Sequence, residues 1–418
     1  MAQLSDDCFA HGGTLMTVGD ALERLKASTE PVTEVERVAL FQALGRILRE
    51  HVVAPANVPA HPNSAVDGYA VFFDDLDPER ETRLPVTGRA SAGHPLDRAA
   101  GRGEAIRIFT GARMPEGPDT VMMQEDCRRE GDEVVLRPGI KRGANARAAG
   151  EDIAAGATVL SDGQRLRAQD LGQAAAVGRT DLLVSRPLKV AVFSTGDELR
   201  EPGQALEPGC IYDSNRYTVT ALLRGLGCAV TDLGILPDQP DVVTRALEEA
   251  AGGQDLIVTS GGVSVGEEDH VKHAVETLGA IHTWRLAIKP GRPIALGQVG
   301  RIPFVGLPGN PVAVMVTFLN VVRPLILRLM GGAELAPHHF KVRALFDHKK
   351  KKDRREWVRV RLIQDDAGVL AAAKFPRDGA GILSSMVESD GLVELPEEMT
   401  HLEAGSLVDF LPFSEVTP

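Results

Sequence analysis

The chain has 418 residues, which is more than one hydrophobic core usually supports, so we expect roughly two to four domains. Its composition, 43% hydrophobic and 25% charged, argues against a disordered or membrane protein and is typical of a soluble globular one. The formal net charge of -12 argues against broad nonspecific binding to nucleic acid or anionic lipid, so an anionic ligand needs a local positive site.

The sequence suggests a cytoplasmic protein with reduced thiols. We find no run of about eighteen apolar residues, and the first residues lack the basic and then apolar order of a signal peptide. The four cysteines form no Cys-x-x-Cys pair, so we expect mostly structural thiols rather than a disulfide framework or a zinc site. They are Cys8, Cys127, Cys210 and Cys228.

The first part of the chain alternates between helical and β patterns. From residue 17 to residue 51, apolar positions recur near helical spacing and are interrupted by Pro31, which predicts two helices. Short β-rich runs between Gly, Pro and Asp clusters follow, and they predict an inserted β-rich domain over residues 55–152. A helical pattern then returns near residue 167, so residues 15–54 and 153–185 are predicted to form one discontinuous, elongated helical domain.

Buried-type strands alternate with helices over residues 186–330. This alternation predicts a mostly parallel sheet with helices on both faces. Residues 331–418 return to an alternating β pattern and predict a small C-terminal β-barrel or sandwich. The lysine-rich run at 349–352 has two interpretations, a solvated hairpin turn or a positive rim for an anionic substrate.

A glycine-rich segment follows the strand pattern DLIVTS in the predicted α/β domain. Glycines at the end of a parallel strand let backbone N–H groups approach a bound group closely, and the following helix N-terminus favours negative charge. The segment therefore predicts a cradle for a phosphate or a pterin phosphate, although tight turns need glycine for steric reasons in many folds. Its predicted lining residues are Gly261, Gly262, Ser264 and Gly266, with Asp269 beside them.

Carboxylates follow several strands of the same predicted sheet. The first strand ends in FSTGDEL, which places Thr195, Gly196 and Glu198 at the carboxyl edge, where open α/β sheets bind ligands. Asp238 and Asp269 are expected at the same edge, and a magnesium ion would reconcile such a carboxylate cluster with an anionic ligand. The alternative is that two of the three only cap helices. For Asp213, capping of the next helix is favoured, with Ser214 as the other candidate cap.

Two further segments complete the predicted crevice. LAIKPGRP contributes Lys289 and Arg292 as candidate ligands of an anion. The turn GLPGNP contributes Asn310 between Pro308 and Pro311, whose fixed φ angles make it stiff, and a purely structural role for both prolines remains open.

The β-rich part offers Asp67 in NSAVDGYAV and Thr110 in RIFTGARMPEGPDTVMMQED, with Arg147 and Asp152 near the domain boundary. None of these specifies chemistry alone, because Asp-Gly and Thr-Gly turns are common. His270 and His273 are better explained as ordinary helix residues than as metal ligands, since no third soft ligand has suitable spacing.

Taken together and in order, NSAVDGYA, RIFTGARMPEGPDTVMMQED, GEDI, FSTGDEL, IYDSN, TSGGVSVGEED, KPGRP and GLPGNPVA resemble the signature of the molybdopterin molybdenumtransferase family, which includes MoeA and the gephyrin E-domain. The resemblance extends from about residue 17 to the C-terminus. It implies an elongated four-domain subunit that dimerises, with an active site between one subunit's α/β domain and the other's β-rich domain.

The resemblance also implies a reaction. The family uses adenylylated molybdopterin and molybdate, releases AMP and leaves molybdenum on the pterin dithiolene, with magnesium assisting. It implies contact with molybdopterin adenylyltransferase and with apo-molybdoenzymes. Positions tied to activity in the family match Asp67, Thr110, Glu198, Asp238, Asp269, Pro308 and Pro311, and the loop GAGILSSM brings Ser384 and Ser385 towards the pterin.

Three other functions are consistent with parts of the sequence. A molybdopterin adenylyltransferase shares the α/β core and its glycine-rich loop, but that domain is usually compact and stands alone. A dimeric scaffold that has lost catalysis is disfavoured by the intact Asp67, Glu198 and Asp269. Specificity for tungstate instead of molybdate is left open, because the two oxyanions are nearly isosteric.

Overall fold

The computed structural model describes residues 15–261, 270–291, 293–365 and 368–417. They divide into two compact units. The first comprises the described residues of Met1–Glu50, Asp162–Arg167 and Leu182–Pro418, and the second comprises His51–Ser161 and Ala168–Asp181.

The second unit is built on a six-stranded sheet, as the β-rich texture predicts. Its strand order is Thr120–Met123, Gly68–Val71, Ala105–Ile108, Thr82–Ala90, Glu133–Leu136 and Cys127–Glu130. Only Thr82–Ala90 and Ala105–Ile108 run parallel to each other. Two short ladders and the helix Ala168–Ala176 complete the unit; the ladders join Asn63–Ser64 to Ala146–Arg147 and Val52–Val53 to Thr158–Leu160.

An ordinary Asp-Gly turn does not explain the glycine at position 68. This glycine is the first residue of a buried strand, and a Cβ atom there would lie 1.8 Å from the carbonyl oxygen of Met122 on the neighbouring strand. The position needs glycine because two backbones approach closely, not because a turn requires it.

The first unit begins with one of the two predicted helices. Helix Val18–Ser28 starts at Thr17, whose hydroxyl oxygen accepts from the Asp20 N–H at 3.1 Å, and it buries Val18, Ala21 and Leu25. The second predicted helix is wrong. Residues Val35–Ala39 form a strand followed by the 3-10 turn Leu40–Gln42, and the strand pairs with Asp181–Ser185 far along the chain.

The α/β segment contains the predicted mostly parallel sheet with helices on both faces. Its strand order is Ala229–Leu236, Lys189–Thr195, Leu256–Ser260, Ile302–Leu307, Pro293–Val299 and Gly279–Arg285. The first four strands are parallel and the last two join antiparallel. The helices Asn215–Gly225, Pro240–Ala251 and His270–Leu278 connect these strands, and buried apolar clusters lie on both faces of the sheet.

One long helix is strongly apolar, although Asn320 and Arg323 interrupt its apolar residues. Pro311–Thr317 continues through the π-helical turn Phe318–Val322 into Arg323–Leu329, and Pro324, which has no N–H to donate, follows the widened turn. By length and composition this helix could cross a membrane, with a mean hydropathy of 1.8. However, 83% of the apolar window is buried inside the protein, which is the pattern of a core helix.

The C-terminal segment forms the predicted barrel. Strand Arg355–Gln364 pairs with both Leu370–Lys374 and Gly391–Leu395, and the remaining pairings close a ring of five strands through Phe340–Ala344 and Leu407–Pro412. The two-residue strand Ile288–Lys289 of the α/β segment adds in parallel to Arg355–Gln364. The barrel is therefore joined to the α/β segment by backbone hydrogen bonds.

Lys350 fits neither interpretation of the lysine-rich run. Its side chain is buried, and its Nζ donates to the carbonyl oxygens of Pro396 at 2.7 Å, Glu397 at 3.3 Å and Met399 at 2.6 Å. Its ammonium group thus stabilises the turn that precedes strand His401–Leu402, whereas Lys349, Lys351 and Lys352 are exposed.

Candidate functional site

A cavity of about 370 Å³ lies at the carboxyl ends of the parallel strands. Strands Lys189–Thr195, Leu256–Ser260 and Ile302–Leu307 end side by side, with Ser194 in register with Ser260 and Ser260 with Leu307. This sheet-edge cavity brings together five residues that the sequence predicts for ligand binding: Thr195, Glu198, Gly261, Asn310 and Pro311.

Two glycines at this edge are needed because neighbouring groups lie too close to leave room for a side chain. Gly261 has a φ of +89°, and a Cβ atom there would lie 3.0 Å from the carbonyl oxygen of Thr195. Gly196 has a φ of +150°, and a Cβ atom there would lie 2.6 Å from the carboxylate of Glu198. Side chains at either position would displace the strand ends or the carboxylate that faces the cavity.

The sequence prediction missed two polar side chains that line the sheet-edge cavity. The Ser194 hydroxyl and the Asn215 side-chain oxygen are buried there and have no hydrogen-bond partner among the described residues. The Asn215 amide donates to the carbonyl oxygen of Gly309 at 2.7 Å, which directs its oxygen elsewhere. Because a buried unpaired polar group costs about 1–3 kcal/mol, both atoms are suited to contact a polar ligand.

An arginine cluster stabilises the wall of the sheet-edge cavity behind Asp213. Arg216 is 4% exposed; its Nε donates to Asp213 at 3.0 Å, and it also pairs with Glu201 and Asp232. Burial alone would lower the pKa of this guanidinium, but its hydrogen bonds with Asp232 and Asp213 raise the pKa instead. The Arg216 N–H also donates to Asp213 at 3.2 Å, which is the capping contact expected of Asp213; Ser214 makes no side-chain cap.

A second cavity, of about 240 Å³, lies between strand Ile288–Lys289 and the barrel. Its charged lining consists of four cationic residues, Lys289, Arg354, Arg359 and Lys374, and two carboxylates, Glu356 and Asp378. Arg359 is 7% exposed and its Nε has no hydrogen-bond partner in the part of the chain that the structure describes. We call this the cationic cavity; the sequence analysis predicted only Lys289 of its lining.

The two cavities adjoin along one loop. Gly379 and Ala380 line the cationic cavity, whereas Gly381 and Leu383 line the sheet-edge cavity. Ser384, predicted to approach the pterin, is exposed at the start of the short helix that follows this loop. Pro308 does not line either cavity, but its carbonyl oxygen accepts from the Ser260 hydroxyl at 3.4 Å.

Asp67 and Thr110 lie together in the second unit. One oxygen of Asp67 accepts from both the backbone N–H and the hydroxyl of Thr110, each at 2.8 Å. These hydrogen bonds, the backbone one first, lower the pKa of Asp67, and the charge of Arg107 adds to the effect. The carboxylate is therefore ionised at neutral pH, and both hydrogen bonds from Thr110 go to the same one of its two oxygens.

The other predicted residues are less closely associated. Arg147 is exposed on the short strand beside Asn63–Ser64, and Asp152 is exposed and donates its backbone N–H to Val58. Asp238 lies half-buried in the loop after strand Ala229–Leu236 and does not line the sheet-edge cavity with Glu198. Five residues predicted for the crevice lie outside the described residues: Gly262, Ser264, Gly266, Asp269 and Arg292.

The described residues offer few candidate metal ligands that lie close together. Within residues 15–261, 270–291, 293–365 and 368–417, no group of three or more His, Cys, Asp or Glu side chains is placed to hold a metal ion. Of the three predicted magnesium ligands, Glu198 alone lines the sheet-edge cavity with its described side chain.

Comparison with known families defines the class of the α/β segment first. Residues 191–328 match a family described as a probable molybdopterin binding domain. Residues 16–178 match the MoeA N-terminal region, comprising domains I and II, and residues 341–413 match the MoeA C-terminal region, domain IV. The chain belongs to the MoeA family.

Individual relatives agree with this assignment over nearly the whole chain. A molybdopterin molybdenumtransferase of Haemophilus influenzae is 38% identical to this chain, and the alignment covers 96% of this chain and all of that protein. A protein of the same name from Nostoc is 35% identical over 89% of this chain and 87% of its own. The crystal structure of a molybdopterin biosynthesis MoeA protein from Pyrococcus horikoshii superposes with a TM-score of 0.80 at 27% identity, covering 95% of this chain and 99% of that one.

Proposed function

We propose that this protein is a molybdopterin molybdenumtransferase, which inserts molybdate into adenylylated molybdopterin and releases AMP. The observation that carries the proposal is the adjacency of two cavities with complementary chemistry. One is polar and lies at a parallel sheet edge, and the other is cationic; successive residues of the loop 379–383 line first one and then the other. By its chemistry we assign the nucleotide-bearing pterin to the first cavity and the dianionic oxyanion to the second.

The residues of the sheet-edge cavity would bind and orient the adenylylated pterin. Ser194 and Asn215 offer unpaired polar atoms, and the stiff turn Pro308–Pro311 keeps Asn310 in place. The pterin dithiolene supplies the sulfur ligands for molybdenum, so the chain needs no cysteine ligand of its own. Molybdate would bind in the cationic cavity, where Lys289 and Arg359 offer charge-assisted hydrogen bonds.

Magnesium belongs to this proposal as the family's cation. Glu198 presents a carboxylate to the sheet-edge cavity, and magnesium usually completes its shell with phosphate and water oxygens. Asp238 and Asp269 are the other proposed ligands. When bound, the ion would offset negative charge on the departing phosphate.

A homodimer is also part of the proposal. The N-terminal part of the first unit exposes apolar side chains that a partner subunit could cover: Phe41 is fully exposed, Leu44 is 60% exposed and Val35 is 49% exposed. In such a dimer, Asp67 and Thr110 of one subunit would serve the sheet-edge cavity of the other. We place the enzyme in the cytoplasm, with molybdopterin adenylyltransferase as its supplier and apo-molybdoenzymes as recipients, and with no nucleic-acid or membrane partner.

The reaction is tested by incubating the purified protein with adenylylated molybdopterin, magnesium and molybdate. We expect AMP release and activation of an added apo-molybdoenzyme, and we expect Glu198→Gln and Asp269→Asn to lose both while remaining folded. ATP-dependent adenylylation of free molybdopterin, without insertion, would instead identify an adenylyltransferase. Failure to consume adenylylated pterin at all would favour a scaffold without catalysis.

A further inference from the structure

Glu356 is a buried carboxylate in the wall of the cationic cavity. It is 2% exposed, and three cationic or hydrogen-bonding side chains surround its two oxygens. One oxygen lies 3.3 Å from Lys289 Nζ and 3.1 Å from His348 Nε2. The other accepts from Arg354, whose Nε lies at 3.1 Å and whose terminal nitrogen is also in contact.

The backbone fixes the position of Glu356 relative to Lys289. The two residues are register partners where strand Ile288–Lys289 adds to strand Arg355–Gln364. Lys289 belongs to the α/β segment and Glu356 to the barrel, so their ion pair crosses the junction between these two parts of the first unit. The Lys289 side chain is otherwise 48% exposed and would have many conformations available.

His348 contacts the same oxygen of Glu356 as Lys289 does. This histidine is buried, and its Nδ1 lies 3.5 Å from Lys374 Nζ, which can only donate. Nδ1 is therefore the acceptor and Nε2 carries the proton that is donated to Glu356. Lys374 in turn pairs with Asp378 at 3.2 Å, so the contacts run continuously from Asp378 to Lys289.

A buried carboxylate is unexpected beside an anion. Burial alone would raise the pKa of Glu356, but hydrogen bonds from His348 and Arg354 and the charge of Lys289 lower the pKa to about 2. Glu356 is thus negatively charged at neutral pH and would repel an oxyanion by Coulomb's law. Its presence is explained if orientation of the neighbouring cations contributes more to binding than its own charge costs.

We propose that Glu356 is a positioning residue for oxyanion binding: it holds Lys289 and Arg354 towards the cationic cavity, and His348 holds Glu356. The inference rests on the proposed function, in which this cavity takes molybdate. Glu356 acts through Lys289 and Arg354 and does not itself contact the anion.

The positioning role and simple electrostatics predict opposite outcomes for Glu356→Gln. This substitution removes one negative charge from the cavity, so charge alone would tighten binding of an anion. Loss of the ion pair releases Lys289 and Arg354, so positioning predicts weaker binding. Asp353→Asn is the control, because it removes one negative charge from the exposed residue directly before Arg354, and Asp353 lines neither cavity.

The experiment is calorimetric titration of each full-length protein with sodium molybdate alone at neutral pH and low salt. We expect molybdate to bind Glu356→Gln about tenfold more weakly than the wild type, and Asp353→Asn as tightly as the wild type. Equal or tighter binding by Glu356→Gln would overturn the inference while leaving the oxyanion cavity intact. If the wild type itself takes up no molybdate, the oxyanion site of the proposed function fails, and the positioning role fails with it.

A second pair of variants covers the case in which Glu356→Gln does not fold. His348→Gln keeps a donor for Glu356, whereas His348→Leu removes it, so only the leucine variant should weaken molybdate binding. In the insertion assay, His348→Leu should raise the KM for molybdate and leave the KM for adenylylated pterin unchanged. A merely structural role would shift both constants or neither, and that result would contradict the proposal.

Discussion

At the scale of single residues, paired hydrogen bonds decide which atoms remain for a ligand. One oxygen of Asp67 accepts both hydrogen bonds from Thr110, and the other oxygen takes no part in them. The side-chain amide of Asn215 donates to the carbonyl oxygen of Gly309, and the side-chain oxygen of Asn215 has no partner among the described residues. The sequence motifs identified Asp67 and Thr110, but not that they form a pair. Such pairing depends on where the ends of two strands meet.

The pairing of Asp67 with Thr110 makes a prediction for the pKa of the carboxyl group. Thr110→Val removes the side-chain hydrogen bond and keeps the backbone one, so the pKa of Asp67 should rise part of the way to its ordinary value. Thr110→Ser, which keeps the hydroxyl, should leave it low. Carboxyl carbon chemical shifts followed by NMR against pH measure both, and an unmoved pKa in the valine variant would show that the hydroxyl makes no contribution.

His339 makes a prediction for the pH dependence of stability. The hydrogen bond and charge of Glu394 raise the pKa of His339 above its usual 6.5. A raised folded-state pKa stabilises the protein below the unfolded value, near 6.5, and this contribution is lost as pH rises through the folded-state pKa. The stability that His339→Gln loses should therefore be larger at pH 6 than at pH 9 in urea unfolding. A loss that is the same at both pH values would exclude the ion pair as its cause.

At the scale of elements, the Arg216 cluster joins the segment after the first strand to the helix that begins at Asn215. Glu201 and Asp213 belong to that segment, and Asp232 to the neighbouring strand Ala229–Leu236. Glu198 lies in the same segment and lines the sheet-edge cavity. The cluster therefore stabilises the wall from which Glu198 faces the sheet-edge cavity.

Removing this guanidinium should be strongly destabilising. Arg216→Met leaves the buried Asp213 carboxylate without its partner, and we expect a loss of about 3 kcal/mol in the free energy of unfolding. Arg224 lies on the same helix and is exposed, so Arg224→Met should change stability by no more than about 0.5 kcal/mol. Urea denaturation compares the two, and equal effects would contradict the importance of the cluster.

The sequence predicted elements well where the signal is local. Buried β-branched runs that alternate with amphipathic helices predicted the parallel sheet. Because open α/β sheets bind ligands at the carboxyl ends of their strands, Thr195, Glu198 and Gly261 were predicted at one edge, and all three line the sheet-edge cavity. Val35–Ala39 was predicted as helix because its apolar spacing fits one, but its strand partner lies at Asp181–Ser185. Spacing within a short window carries no information about so distant a partner.

The cationic cavity was missed for a similar reason. Lys289 and Glu356 are far apart in sequence and become neighbours only because the short strand of one segment adds to the barrel of another. In the sequence WVRVRLI, Arg359 resembles a solvent-facing residue of an alternating strand, although it is buried. Val358 and Val360 face the barrel core, as strand alternation predicts, so Arg359 lies on the outer face. Arg359 is nevertheless buried there, because it donates to the carbonyl oxygens of Arg377 and Gly379 in a loop that covers this face.

At the scale of the whole molecule, the proposed active site requires two subunits. The second unit carries Asp67 and Thr110 and the first carries Glu198, and the proposal assigns them to one active site across a dimer. Phe41→Lys should weaken this dimer, because a charge replaces the most exposed apolar side chain of the proposed interface. Phe340→Lys, on the barrel strand Phe340–Ala344 and 51% exposed, is the control. Sedimentation velocity should show monomers only for the first variant, and an unchanged dimer would move the interface elsewhere.

The most direct test of the central claim is subunit complementation between Asp67→Asn and Glu198→Gln. Each variant alone should release no AMP from adenylylated molybdopterin, because every site in its dimer lacks one essential carboxylate. After mixing and subunit exchange, half of the dimers should contain one intact site, and activity should return to about a quarter of the wild-type value. If exchange is demonstrated and the mixture stays as inactive as either variant alone, the two carboxylates do not serve a site shared between subunits.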